Sequence, residues 1–378
     1  MPDPDFLLPV EEYKSPENVV RITFGGDTYF GEFYQQKREK EGKNLYLKKY
    51  LAEEGYDYFG RKIANHLQDS DYVIANLECV LTDKDYSESP YSGEKGFILG
   101  GDPELTIAAL KNLNVQAVSL ANNHSADFGA EDLEKTVNYL KDANIVPFGA
   151  GANKEQAQAA LKVELSCGEQ TFKLAVISAY EFVRLYADKF KPYADDDQWG
   201  VNDLHPKRLL FQIEELKKQG YYVVVQPHWG ANYSYAHYGQ MMMADMVLGQ
   251  CEADLMLGHG PHIFTDVHKR KDRWVFYSIG NLIFCNQGEH EDYAVPPYSA
   301  LVDLIIEPGQ GDSVSKALHI YPLHTDNHQT EFQSRFVTAE EFDLFCGYLF
   351  CKQFDVPAMV SSFKRLVQDG RFFLRLDL

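Results

Sequence analysis

Polar side chains that could bind a metal recur at one kind of place in this chain, just past the end of a short apolar run. Asp27 follows ITFGG, and Asn76 and Glu78 close YVIANLE. Asn122, Asn123 and His124 follow AVSLA, His228 and Trp229 follow VVVQP, and His259 and His262 follow DLMLG. In an α/β sheet the carboxyl ends of strands are where loops converge on a ligand. Residues as distant in sequence as Asp27 and His262 can therefore meet. Their types form a mixed oxygen and nitrogen donor set: carboxylates, amides and imidazoles. Such a set suits Mn, Zn or Fe better than Ca, which takes oxygen ligands, or Cu(I), which takes sulfur. The donors outnumber what one tetrahedral ion needs. Two divalent ions roughly 3.5–4 Å apart, sharing a carboxylate, would use them.

Each residue alone also has a plainer reading. Asp27 after two glycines could be a turn residue, Glu78 a helix cap, and Asn122-Asn123 a turn, since Asn tolerates the left-handed region. His228 could be a core histidine. The pair in His259-Gly260-Pro261-His262 is sharper, because Gly-Pro fixes a tight turn that aims two imidazoles at one place. His66, His205, His290 and His319 obey no such placement rule and read as surface or packing residues.

The elements that must position these groups are legible as apolar, β-branched runs: 19–24, 72–76, 117–120, 174–178, 221–226, 254–257, 274–278 and 300–306. Between them lie stretches of helical period. Asp102-Pro103 opens one as cap and first turn, with Leu105, Ala108, Ala109 and Leu110 expected on its buried face. The stretches 131–142, 206–219 (ending at Gly220) and 241–251 are the others. Alternation of strand and helix predicts a layered α/β fold with a partly parallel sheet. Residues 1–18 read as a lead-in, 19–325 as the main domain, and 326–378 as a helical extension packed on it, with 337–366 mostly helical. The stretch 86–96, YSESPYSGEKG, is the most loop-like.

Composition bounds the rest. The 378 residues are 45% hydrophobic and 24% charged, with a net charge of −20. That balance argues against nucleic acid or an anionic membrane surface as partner, both of which call for a basic face. The six cysteines form no C-x-x-C pair and read as reduced core thiols. No run of about 18 apolar residues is present, and the start lacks the features of a signal peptide. A cytoplasmic chain is expected, or an exported one whose anchor lies outside this sequence.

Six motifs then stand in a telling order: GGD at 25–27, NLE at 76–78, ANNH at 121–124, HWG at 228–230, GHGPH at 258–262 and SIGN at 278–281. In this the chain resembles the CapA/PgsA family, linked to poly-γ-glutamate capsule synthesis, which is similar in fold to calcineurin-like metallophosphoesterases. The resemblance implies a four-layer αββα sandwich. It implies Asp27, Glu78, Asn123, His228, His259 and His262 as metal ligands and His124 as proton donor. Asn76, Asn122, Trp229, Asn232 and Asn281 would form the surrounding shell or touch substrate. Three positions depart from the pattern. Tyr29 stands where general metallophosphoesterases carry a ligand histidine, and Asn232 stands where this branch often has Glu. Leu282 replaces the Phe of the Gly-Asn-Phe turn. Three functions follow from the resemblance: a metal-dependent hydrolase of a phosphoester or amide in capsule metabolism, a non-catalytic factor for polymer binding or export, and a housekeeping phosphoesterase. The expected partners are an anionic polymer or phosphorylated small molecule, and the capsule synthesis machinery.

Overall fold

Alternate residues of the central strands enter different apolar clusters. On the strand Tyr72–Leu77, Ile74 joins one cluster while Val73, Ala75 and Leu77 join another. On Tyr222–His228, Val224 shares the cluster of Ile74, whereas Val223 and Val225 enter a third. Period-two burial on both faces makes each strand the middle of a sandwich. The computed structural model describes residues 9–43, 47–286, 288–309, 313–351 and 360–378.

Two mixed sheets result. The larger runs in the order Glu11–Glu12, Phe363–Gln368, Arg371–Asp377, Val314–His324, Tyr298–Pro308, Val20–Tyr29, Tyr72–Leu77, Val115–Ser119 and Val146–Phe148. The smaller runs Val267–Arg270, Arg273–Phe276, Leu255–Leu257, Tyr222–His228, Gln170–Tyr180 and Leu161–Cys167. Neighbours that carry the candidate site are parallel: Val20–Tyr29 with Tyr72–Leu77, and Tyr222–His228 with Leu255–Leu257. Their carboxyl ends therefore lie on one side. The shared cluster, with Ile22, Phe24, Ile74, Val176, Val224 and Leu255, fills the space between the sheets. Helices Pro103–Asn112 and Ala130–Asp142 cover the outer face of the larger sheet through Ala109, Leu110, Leu133, Val137 and Leu140. Helices Pro206–Lys218 and Tyr238–Gly249 cover the smaller through Leu209, Ile213, Val247 and Leu248. The layers are thus αββα.

Local signals act as expected. Asp102 caps its helix by accepting from Leu105 N at 2.8 Å, with Pro103 at the first turn. Gly220 ends Pro206–Lys218 with φ 82°. The buried face of this helix differs from the expected one: Leu105 and Ala108 are exposed, and Thr106, Ala109 and Leu110 are buried. Three-residue spacing placed Leu105 with Ala108, whereas the sheet meets the helix one residue further round.

The C-terminal segment carries a helix, Ala339–Cys351, whose Phe342, Phe345, Cys346 and Leu349 enter the inter-sheet core. Residues 352–359 lie outside the described residues. From Phe363 the expectation of helix is corrected: Phe363–Gln368 and Arg371–Asp377 form an antiparallel hairpin that extends the larger sheet beside Val314–His324. Its turn is Asp369-Gly370, with φ 51° and 75°. Positive φ at two successive residues is the tight hairpin geometry that Asp-Gly favours. Cys79, Cys167, Cys251, Cys285 and Cys346 are buried free thiols, and the side chain of Cys351 is outside the described part. Among the described residues, no helix is long and apolar enough to cross a membrane.

Candidate metal centre

The inward face of each central strand stays inward past its last apolar residue, and there it turns polar. Ile74 is followed in phase by Asn76 and Glu78, Val224 by Gln226 and His228, and Leu255 and Leu257 by His259. His228 and His259 form a parallel bridge, with Trp229 N donating to His259 O at 3.0 Å and His259 N to Pro227 O at 2.8 Å. Asp27 reaches the same face through an irregularity in register between Phe24 and Asp27, a device that re-aims a side chain. The preceding Gly26 lies against the Ser278–Asn281 turn. A Cβ there would stand 1.8 Å from Gly280 O, and Asp27 N donates to that same oxygen at 3.0 Å.

Five of the six proposed ligands converge. His262 Nδ1 lies 3.2 Å from Asp27 Oδ2, and His228 Nδ1 and His259 Nδ1 lie 3.8 and 3.9 Å from Asp27 Oδ1. Glu78 completes the ring, 3.6 Å from His228 Nε2 and 4.0 Å from His262 Nδ1. Donor atoms of Asp27, Glu78 and His228 all lie within 4.8 Å of one another. Three polar atoms among the six residues are buried with no hydrogen-bond partner: Glu78 Oε2, Asn123 Oδ1 and His259 Nδ1. Unpaired buried polar atoms cost about 1–3 kcal/mol each, and carboxylate, amide oxygen and imidazole nitrogen are all donor types that a divalent ion takes. The donor set therefore fits a divalent metal ion. The sixth proposed ligand, Asn123, is held through its backbone, whose carbonyl accepts from Lys95 Nζ at 2.6 Å.

Electrostatics agree with this. Burial pulls the pKa of His228 down to about 3 and lowers that of His259, in both cases against Asp27, so both rings are neutral and able to ligate. Burial opposes ionisation of Asp27, but the hydrogen bond from His262 and the surrounding imidazoles hold its carboxyl below the usual range. Burial and the neighbouring Asp27 push Glu78 up. Two carboxyls packed without a cation cannot both ionise easily, and a bound ion would remove that conflict.

The supporting residues sort clearly. Asn76 Nδ2 donates to Asp27 Oδ1 at 2.7 Å, and Asn122 Nδ2 donates to Asn76 Oδ1 at 3.1 Å. Asn122 Oδ1 also accepts from His124 N and Ser125 N, which shapes the loop. Asn281 Oδ1 sits 3.0 Å from His262 Nδ1 and sets the ring of a residue held at φ 61°, a strained value for a side chain with Cβ. Trp229 does not join them. It is one residue out of phase with His228, so its ring stacks on Tyr277 beneath the outer helices and its Nε1 donates to Tyr277 O. Asn232 is exposed on the following loop. Tyr29 Oη accepts from Tyr34 N at 3.0 Å and its ring packs on Phe284, so this position is committed to the fold.

His124 stands beside the ligands. Its Nδ1 is 2.7 Å from Asp127 Oδ2 and its Nε2 is 4.0 Å from Glu78 Oε1. Two contributors escaped the sequence reading. Gln226, 3.1 Å from His259 Nε2, was signalled by its phase between Val224 and His228. Lys95, buried against Asp127, lies in the loop-like 86–96 stretch, where no periodicity marks an inward residue. Of the other histidines, His66, His290 and His319 are buried packing residues, and His205 precedes Pro206–Lys218 without a side-chain capping hydrogen bond.

With this geometry established, comparison with known proteins is informative. The family described as bacterial capsule synthesis protein PGA_cap matches residues 21–286. The chain is similar to the capsule biosynthesis protein CapA of Bacillus anthracis, at 28% identity over 77% of this chain and 70% of that protein. It is similar to the PGA biosynthesis protein CapA of Bacillus subtilis, at 25% identity over 71% of this chain and 64% of that protein. A probable polyglutamine synthesis accessory protein of Mycobacterium tuberculosis shares 23% identity over 84% of this chain and 88% of its own length.

Proposed function

The chain belongs to the bacterial capsule synthesis protein PGA_cap family, and from that premise we propose that it is a metal-dependent hydrolase of capsule or poly-γ-glutamate metabolism, cutting a phosphoester or amide. The observation that carries this reading is the convergence of Asp27, Glu78 and His228 donors within 4.8 Å, beside a histidine that is not among those ligands. One or two divalent ions, Mn, Zn or Fe, would be held by Asp27, Glu78, Asn123, His228, His259 and His262. Bound there, such an ion supplies a water of lowered pKa and positive charge facing the developing negative charge.

The chain's own residues prepare the rest. Asn76 and Gly260 N, which donates to Asp27 Oδ2 at 3.1 Å, fix both carboxylate oxygens of Asp27. Asn281 fixes the plane of His262. Asp127 takes the Nδ1 side of His124, which leaves Nε2 facing Glu78 as the nitrogen that exchanges a proton with the leaving group. Burial of the whole constellation excludes bulk water and strengthens each of these interactions.

Metal analysis of the purified protein tests the first half. A screen of phosphoesters and γ-glutamyl peptides with added Mn²⁺ tests the second. Absence of bound or bindable metal would sink the reading. A non-catalytic role in polymer binding or export is the second reading, and Tyr29 favours it. Its hydroxyl is spent on Tyr34 N, so the position adds no ligand.

A further inference from the structure

Lys95 is 7% exposed and comes from the loop that wraps the site. Its ammonium pairs with Asp127 Oδ1 and donates to Asn123 O at 2.6 Å. The rings of Tyr186 and Phe190 lie 5.4 and 5.8 Å away on its remaining side. Two of its three donors thus have acceptors, and the two rings flank the rest of the ammonium. Asp127, 1% exposed, is gripped by the same loop: Leu99 N donates to Oδ2 at 2.7 Å, and Ser89 Oγ to its carbonyl at 2.6 Å. Oδ2 is the oxygen that meets His124 Nδ1. Burying an ammonium is costly, and a buried ion pair by itself is weak support for stability. This pair sits where it touches both the backbone of a proposed ligand and the partner of the proposed proton donor.

We propose that Lys95 is a positioning residue of the metal centre: it holds Asn123 toward the ligand set and turns Asp127 so that His124 keeps its Nδ1–H on Asp127 and presents Nε2, the nitrogen that carries the proton to be donated, to the site. The proposal rests on the reading of Asn123 and His124 given above, and its test needs no substrate. Lys95→Met keeps the stem and removes the charge and the donors. In the metal-free wild type, side-chain ¹⁵N shifts of His124 should report a single Nδ1–H tautomer. In folded Lys95→Met they should report a mixture, and affinity for Mn²⁺ by calorimetry should fall about tenfold, the loss typical of a removed supporting contact. A folded Lys95→Met with the wild-type tautomer and wild-type Mn²⁺ affinity overturns the proposal. If that variant does not fold, the wild type decides: the Lys95 ammonium should give a slowly exchanging ¹⁵N signal with contacts to Asn123 and Asp127, and a freely exchanging ammonium overturns it. Lack of turnover in every screen would count against the hydrolase reading and leave these readouts intact.

Discussion

Asn76 reaches from the end of its strand to donate a 2.7 Å hydrogen bond to Asp27 on the neighbouring parallel strand, and the same amide lies 3.3 Å from His228 Nδ1 on the opposite sheet. One uncharged side chain therefore ties both sheets together at the candidate metal centre. Asn76→Ala is expected to fold and to lose about 10- to 100-fold in affinity for a divalent ion, as removed supporting contacts do. Calorimetric titration with Mn²⁺ checks this, and unchanged affinity would show that Asp27 needs no such brace.

His124 and the ligand histidines should separate on substitution. His124→Ala is expected to keep its metal and lose about 10²–10⁴-fold in turnover, the usual share of a general acid. His228→Ala or His259→Ala should lose the metal itself. Metal content and kcat measured on the same samples decide between the roles, and loss of metal from His124→Ala would make it a ligand.

Gly26 tests the backbone contact behind Asp27. A Cβ at this position meets the carbonyl of Gly280 at 1.8 Å, and neither backbone can yield freely. Gly26→Ala should cost about 1–3 kcal/mol of stability, as overpacking does, and weaken metal binding together with it. Urea unfolding alongside a metal titration reads both. A variant of wild-type stability would mean the turn lies further from Gly26 than described.

Stability should fall in acid through buried histidines outside the proposed ligand set. Burial holds His319 down to about 3, with Asp303 opposing and Arg375 assisting, and it holds His290 down to about 4. Unfolded, each ring protonates near pH 6.5. Between those values the unfolded chain binds more protons, so stability is complete above pH 6.5 and drains away as pH falls toward 3–4. Each ring contributes a slope of up to about 1.4 kcal/mol per pH unit. Glu78, raised by burial and Asp27, acts in the opposite sense. His319→Gln should flatten the dependence of the urea midpoint on pH between 4 and 6, and an unchanged slope would absolve His319.

Much of the site was written in local pattern. Apolar runs ending in Asn76, Glu78, His228 and His259 keep one phase, and a strand's two-residue period carries that phase to the sheet edge, whereas Asp27 joins them only through the break in register after Phe24. The order of the six motifs likewise carries the family resemblance in sequence alone. Tertiary structure decided what phase alone does not reach. It turned Trp229 away from the site into the outer layer, because the residue after His228 must face the helices. It committed Tyr29 to Tyr34 and Phe284. It brought Lys95 from an aperiodic loop onto Asp127, a pairing across 32 residues that no local rule announces. It also drew the C-terminal residues into the larger sheet as a hairpin, whose Asp369-Gly370 turn was legible but whose place beside Val314–His324 depends on an edge that exists only once the sheet is built.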